Sequence, residues 1–433
     1  MPAAIVVGAQ WGDEGKGKVV DVFSSEADYV VRYQGGANAG HTLKVEGRET
    51  ILHLVPSGIL HPKVSCLISS GVAMDVSALC DEIQALKKSG FLKYPHQLLL
   101  SDSATLLFDY HKQLDQAREQ KAGHEKIGTT GKGIGPAYES RAERTALIFA
   151  DLFESPEVLK NKLVRSSQEK FFLLENFYKQ SPAPIEELLD KLLQLREILR
   201  PYRCQNTSLV IDQALKEGKK VLFEGAQGSL LDLVHGTYPY VTSSSTLAGG
   251  ALTGAGLGPQ NFNKILAIAK AYTTRVGFGS FPTECGETKE GQYLQKQGRE
   301  FGATTGRKRR CGWLDLPALR YAIRLNGFTG LALMKLDVLS GLDEIKVCVS
   351  YKVGDKSVKE FPSLYSDLAR ACPEYKVFKG WTEDLSSLKK KEELPSQALE
   401  YVNFISQELN IPVDVISVGP SRKETIWINP IFS

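Results

Sequence analysis

Short apolar runs ending in glycine-rich turns recur along the chain. Residues 3–7, Ala-Ala-Ile-Val-Val, are wholly apolar and partly β-branched, the pattern of a strand buried on both faces in a parallel sheet. Residues 29–33, 51–55, 66–69, 221–224, 265–270 and 413–417 read as further strands, and 330–337 as a strand ending in Lys-x-Asp. Apolar residues at helical spacing predict helices from residue 19 and over 76–88, and a mostly helical insertion near 155–200, read as a helical subdomain or a solvated arm. No internal repeat and no long Pro/Ser linker interrupts the pattern, which predicts one α/β unit over residues 1–433.

Composition removes several alternatives. The 53 basic and 50 acidic residues leave a formal charge of +3, so nothing global argues for nucleic acid or a membrane surface. Seven cysteines are scattered without a C-x-x-C pair, which fits reduced thiols rather than zinc or disulfide chemistry. Residues 1–25 lack a signal pattern, and no apolar run approaches the roughly 20 residues of a membrane helix. A cytoplasmic, unprocessed protein is expected.

The first turn carries the most chemistry. After the strand at 3–7 comes Gly8-Ala9-Gln10-Trp11-Gly12-Asp13-Glu14-Gly15-Lys16-Gly17-Lys18, and then a helix. At such a strand-to-helix turn backbone N–H groups converge on an anion. Gly12 to Lys18 satisfies G-x-x-x-x-G-K, yet Val19 stands where a metal-binding hydroxyl is usual. The metal therefore needs another ligand. Asp13 and Glu14 would repel phosphate unless one binds Mg²⁺ or removes a substrate proton. The sheet expected is thus large, central and mostly parallel with flanking helices, phosphate-loop NTPase-like, with helical and loop insertions.

Other turns add to it. Gln34 to Thr42 contains Asn38, able to hydrogen-bond a ligand, and His41, able to donate a proton to a leaving phosphate oxygen. Residues 127–136 carry Thr129, Thr130 and Lys132 among glycines, a set able to hold a phosphate monoester. Residues 225–229 follow a buried strand, and 236–246 are crowded with hydroxyls, as a pocket wall or a polar surface loop would be. Arg307, Lys308, Arg309 and Arg310 follow a Thr-Thr-Gly turn and suit a carboxylate or phosphate better than nucleic acid in a chain of this charge. In Lys335-Leu336-Asp337 the carboxylate can accept N1–H and the exocyclic amine of guanine, which favours GTP over ATP. Gly419 sits in a last turn that could close over the base.

Together, Gln10-Trp11-Gly12-Asp13-Glu14-Gly15-Lys16-Gly17-Lys18, Asn38-Ala39-Gly40-His41-Thr42, Gly128-Thr129-Thr130-Gly131, Glu224-Gly225-Ala226-Gln227-Gly228, Lys335-Leu336-Asp337 and the run 304–310 resemble the adenylosuccinate synthetase family over nearly the whole chain. The resemblance implies a GTP-dependent ligase that joins IMP and L-aspartate through 6-phosphoryl-IMP, with Mg²⁺ as cofactor, in AMP synthesis. It implies Asp13, Lys16, His41 and Gln227 as catalytic residues. IMP would meet Asp13, Asn38, Thr130, Gln227, Thr242 and Arg307, and Arg144 from the partner subunit of a homodimer. GTP would meet Gly12, Glu14, Gly15, Lys16, Gly17, Lys18, Gly40, His41, Thr42 and Arg309, and on the base side Lys335, Leu336, Asp337, Ser417, Val418 and Gly419. Aspartate would meet Ala303, Thr304, Thr305 and Arg307. Asp13 and the Gly40 carbonyl would hold the metal. Lys132 and Lys308 stand where the bacterial pattern has arginines, and Val418 where a threonine is common.

Two other classes compete with the ligase. A guanine-nucleotide switch would use the first loop and Lys335-Leu336-Asp337 without needing Asp13 as a base. A nucleic-acid binder using Arg307 to Arg310 would bind DNA or RNA in a salt-sensitive way.

Overall fold

A computed structural model describes residues 2–38, 40–45, 48–259, 262–302 and 306–432, with only the backbone at 41–45, 48 and 49. Among the described residues, ten strands form the central sheet. In chain order they are β1 (Ala3–Gly8), β2 (Tyr29–Arg32), β3 (Ser65–Ile68), β4 (Leu98–Ser101), β5 (Arg203–Cys204), β6 (Val221–Glu224), β7 (Lys264–Lys270), β8 (Gly330–Met334), β9 (Val413–Ser417) and β10 (Thr425–Trp427). Across the sheet they run β10-β9-β8-β7-β1-β6-β2-β3-β4-β5, parallel except for β10, which is antiparallel to β9.

β1 is central because both its faces are apolar. Ala3, Ile5 and Val7 enter one core, shared with the helices Leu316–Asn326 and Ser396–Leu409. Ala4 and Val6 enter the other, on the opposite face. Burial on both faces is what parallel strands covered by helices require. The helix α1 (Lys16–Ser24) supplies Val19, Val20 and Phe23 to that second core, and α2 (Val76–Lys88) adds Leu79, Ile83 and Leu86. Asp75 caps α2 by accepting from the Ala78 N–H at 3.2 Å, while Lys87 and Lys88 sit at its C-terminal end, opposite charges at opposite poles of the dipole.

Two more helices, α3 (Asp109–Ala122) and α4 (Ile134–Glu143), flank the turn at 127–133. The segment 155–200 folds as α5 (Pro156–Phe172) and α6 (Ile185–Leu199), joined by a π-helical turn. Leu159, Leu163, Leu192 and Leu199 are buried in the second core, so this pair is packed on the body of the protein rather than solvated as an arm.

One expected strand ends early. Pairing stops at Leu52, because the N–H groups of His53, Leu54 and Val55 donate to the Glu82 carboxylate at 2.9, 3.0 and 3.3 Å instead of to a neighbouring strand. A second, mixed sheet built on the antiparallel pair Glu344–Val353 and Cys372–Lys379 gave no motif in the sequence; it packs beside the first core. Among the described residues no helix is long and apolar enough to cross a membrane.

Candidate active site

The carboxyl ends of β1, β2, β6, β8 and β9 open on one cavity of about 590 Å³. The chain runs outward from β2 to β5, returns to β6 beside β1, and then runs outward the other way to β10. Ligands of open α/β sheets bind where the strand order reverses in this manner.

The first turn owes its shape to Glu14. Its carboxylate is fully buried, accepts from the N–H groups of Gln10 and Gly12 at 3.1 and 2.8 Å, and pairs with Lys16 Nζ at 2.7 Å. It therefore braces the loop from beneath. A Cβ on Gly8 would stand 2.5 Å from Glu14 Oε2, and one on Gly228 would stand 2.4 Å from the Gln10 carbonyl, so neither position admits a side chain. Gly12 (φ 85°), Asp13 (φ 61°) and Gly15 (φ 95°) take the left-handed region that turns the chain into α1.

Asp13 faces the cavity. Its carboxylate is 39% exposed and accepts from Arg309 Nε at 2.6 Å. Desolvation raises the carboxyl, but Arg309, Lys270 and Lys16 outweigh it and hold Asp13 below the usual carboxylate range. It is an anion at neutral pH. Among the described residues no group of three His, Cys, Asp or Glu could cage a metal. Magnesium needs no such cage, since it uses one or two carboxylates with substrate phosphates and water. The Asp13 carboxylate and the Gly40 backbone, which both line the cavity, fit that donor set.

Two amides face the same space. The side-chain oxygens of Asn38 and Gln227 are buried without a hydrogen-bond partner. Leaving such an atom unpaired costs about 1–3 kcal/mol, which a ligand donor would recover. Gln227 follows β6 in the left-handed region at φ 57°. Gly40 lines the cavity, and His41 and Thr42 begin the strand His41–Val45; their side chains lie outside what is described.

The turn at 127–133 is held by α3. The N–H groups of Ile127, Gly128 and Thr129 donate to Glu119 at 3.0, 2.8 and 3.1 Å. Asp115 accepts from Thr129 Oγ1 and the Gly133 N–H, both at 2.9 Å. Thr130 is left exposed on the cavity, which Thr242 also lines. Arg307 reaches across to the carbonyls of Gly128 and Thr129 at 3.3 Å each. Ala303, Thr304 and Thr305 lie outside the described residues. Arg144, exposed at the end of α4, does not line the cavity of its own chain.

At the far end Lys335 (φ 60°), Ser417 and Gly419 line the cavity, with Leu336 and Val418 buried behind them. Lys18 does not point along the loop toward a phosphate; its ammonium donates to Ser417 Oγ and to the carbonyls of Gly419 and Glu424. One Asp337 oxygen is buried and unpartnered. Desolvation raises the Asp337 carboxyl, against the pull of Lys18 and Lys335. Of the basic run, Arg309 faces the cavity, whereas Arg310 is spent on Glu284 and on the Gly279 carbonyl.

Sequence reasoning passed over the carboxylates that build this site: Asp115, Glu119 and the buried Glu300, to which Lys270, Lys335 and Arg309 all donate. Only the i, i+4 spacing of Asp115 and Glu119 before a glycine-rich turn signals them in advance.

Known proteins of one family match the chain along its length. The family model described as adenylosuccinate synthetase matches residues 5–426. Proteins named adenylosuccinate synthetase from Bdellovibrio bacteriovorus and Geobacter metallireducens are 55% and 48% identical over 433 residues, covering all of both chains. The solved structure of a fully ligated adenylosuccinate synthetase from Plasmodium falciparum superposes with a TM-score of 0.93 at 37% identity, over 99% of this chain and 100% of that one. From the first glycine turn to the last, the chain belongs to the adenylosuccinate synthetase family.

Proposed function

We propose that the cavity joins IMP and L-aspartate in two steps on the residues assembled above. The chain is a GTP-dependent ligase of purine synthesis that forms adenylosuccinate, GDP and phosphate. The observation that carries the stepwise reading is Asp13, an ionised carboxylate facing the cavity from a phosphate-binding turn.

In the first step Asp13 takes the N1 proton of IMP, and O6 becomes nucleophilic enough to attack the γ-phosphorus of GTP. The bond to the β,γ-bridging oxygen breaks, and His41 protonates the GDP that leaves. Lys16 and Arg309 offset charge on the transferring group. In the second step the neutral amine of aspartate attacks C6 of 6-phosphoryl-IMP, the C6–O6 bond breaks, phosphate departs with the proton that Asp13 took from N1, and the new C–N nitrogen gives its surplus proton to water. Gln227 and Asn38 orient the purine, while Thr130 and Thr242 hold the nucleotide. Ala303, Thr304, Thr305 and Arg307 take the aspartate carboxylates. Asp13 and the Gly40 carbonyl would hold Mg²⁺, which supplies charge neutralisation on the phosphates when bound.

Asp337 reads guanine: its buried, unpartnered oxygen suits the N1–H of that base. Arg144 serves the neighbouring active site of a homodimer, a reading supported by its exposure away from its own cavity. Sedimentation with and without IMP, beside the KM for IMP of Arg144→Ala, tests it; a monomer under both conditions defeats it.

The decisive experiment is product formation with IMP, GTP, Mg²⁺ and L-aspartate, each omitted in turn, with ATP replacing GTP, and with Asp13→Ala. Product that needs all four and is lost in a folded Asp13→Ala protein supports the mechanism. Ligation retained in that variant refutes it.

A further inference from the structure

Glu300 lies between the helix Lys289–Gln297 and the basic run, and its carboxylate is wholly buried. Oε1 accepts from Lys270 Nζ at 2.9 Å, from Lys335 Nζ at 2.7 Å and from Tyr272 Oη. Oε2 accepts from Arg309 Nη1 at 2.8 Å. All four donors end on one carboxylate.

Arg309 is forked. Its Nη1 holds Glu300 while its Nε donates to Asp13 at 2.6 Å. Lys335 is anchored a second time, to the Gly298 carbonyl at 2.8 Å, and in its left-handed conformation opens the 3-10 turn Leu336–Leu339 that contains Asp337. A continuous path of charge-assisted hydrogen bonds therefore runs Asp13–Arg309–Glu300–Lys335. Both of its ends line the cavity. Such bonds have narrow geometry and strengthen in a dry interior, so moving one cation moves the carboxylate and with it the other.

Desolvating a carboxylate with two lysines and an arginine is an expensive way to gain stability alone. What it does achieve is to make the positions of Arg309 and Lys335 interdependent. We propose that Glu300 is a positioning residue that couples the guanine-reading turn to Asp13, so that seating the correct base sets the orientation of the catalytic carboxylate. Base recognition then raises kcat as well as lowering KM, because the energy of docking is realised at the reacting end. The inference rests on the roles proposed above for Asp13 and for residues 335–337.

A double-mutant cycle tests it on the full-length protein. Arg309→Lys, Lys335→Gln and the pair are assayed for ligation with GTP, first in the wild-type background and then with Glu300→Gln. Coupling predicts that the effects of Arg309→Lys and Lys335→Gln on kcat depart from a simple product by at least about fivefold with Glu300 present. In Glu300→Gln they multiply independently, kcat is lower, and the KM for aspartate is little changed. A merely structural Glu300 would lower yield or Tm without altering the cycle. Independent effects in the wild-type background overturn the proposal, even if Glu300→Gln fails to fold. Should that variant not fold, Glu300→Asp, which keeps the charge and withdraws it by one methylene, takes its place. Wild-type protein that makes no product defeats the functional reading and this inference together. Product with independent effects defeats the coupling alone.

Discussion

Lys18 Nζ lies 2.8 Å from Ser417 Oγ, across 399 residues of sequence. The same ammonium donates to the carbonyls of Gly419 at 2.7 Å and Glu424 at 2.9 Å. The start of α1 thus holds the last glycine turn in place from within, and removing the ammonium releases it. Lys18→Met is expected to raise the KM for GTP about tenfold, as lost hydrogen bonds to a charged group would, with the KM for aspartate unchanged. Steady-state kinetics with each substrate varied will check this.

Lys18 also predicts a pH effect. Desolvation lowers its pKa to about 8, against the pull of Asp337 and Glu424. The folded state therefore binds fewer protons than the unfolded state between about pH 8 and the ordinary lysine range, and stability rises with pH across that window. The cost of the buried charge is fully present below pH 8. Binding runs the other way, because a neutral amine has one donor fewer for its three acceptors. The KM for GTP should climb as pH passes 8 in wild type, and Lys18→Met should lose that limb.

Gln227 holds the left-handed backbone without being glycine. That conformation costs a side-chain-bearing residue roughly 1–2 kcal/mol, more than the entropic penalty of glycine, so backbone stability alone gives no reason for the amide. Gln227→Gly is expected to leave the urea midpoint at or above wild type while kcat falls about 100-fold, a loss of the size seen on deleting one oriented hydrogen-bonding group in an active site. A drop in the midpoint with kcat preserved would contradict this.

Glu119 takes three consecutive N–H groups of the turn that presents Thr130. Glu119→Gln keeps the shape but weakens the acceptor, so the turn loosens. The expected result is a KM for IMP raised about three- to tenfold with kcat within twofold of wild type. An unchanged KM for IMP would show that the turn holds itself.

Asp315 is buried, accepts from Tyr351 Oη at 2.6 Å and caps the helix Leu316–Asn326 through the Ala318 N–H at 3.1 Å. Desolvation raises its pKa to about 6 from 3.8, the two hydrogen bonds opposing. The folded state then holds more protons than the unfolded state between these values, so stability falls as pH rises from 4 to 6, and the loss is complete above that. Asp315→Asn keeps the cap and removes the titration. Relative to wild type it should gain roughly 2–3 kcal/mol between pH 4 and pH 7, read from urea denaturation at each pH.

The sheet was legible because its strands contain short apolar runs, such as residues 3–7 and 221–223, with glycine close behind. The cavity was legible because those glycines and the charged residues among them are local in sequence. What stayed hidden is long-range. Nothing around Glu82 says that it will take the N–H groups of residues 53–55 and end a strand. Glu14 sits in the loop like Asp13, but only the fold turns one inward and the other to the cavity. Glu300 has no motif, because its partners come from three separate stretches of the chain.

The position of β1 has a consequence for how the chain is made. Its neighbours in the sheet are β6 and β7, so once β1 has left the ribosome it stays without a partner until roughly 200 more residues have followed. At about 5–20 residues per second that wait lasts on the order of 10–40 s. Throughout it the chain carries an apolar strand with both edges open, a template on which another chain could pair.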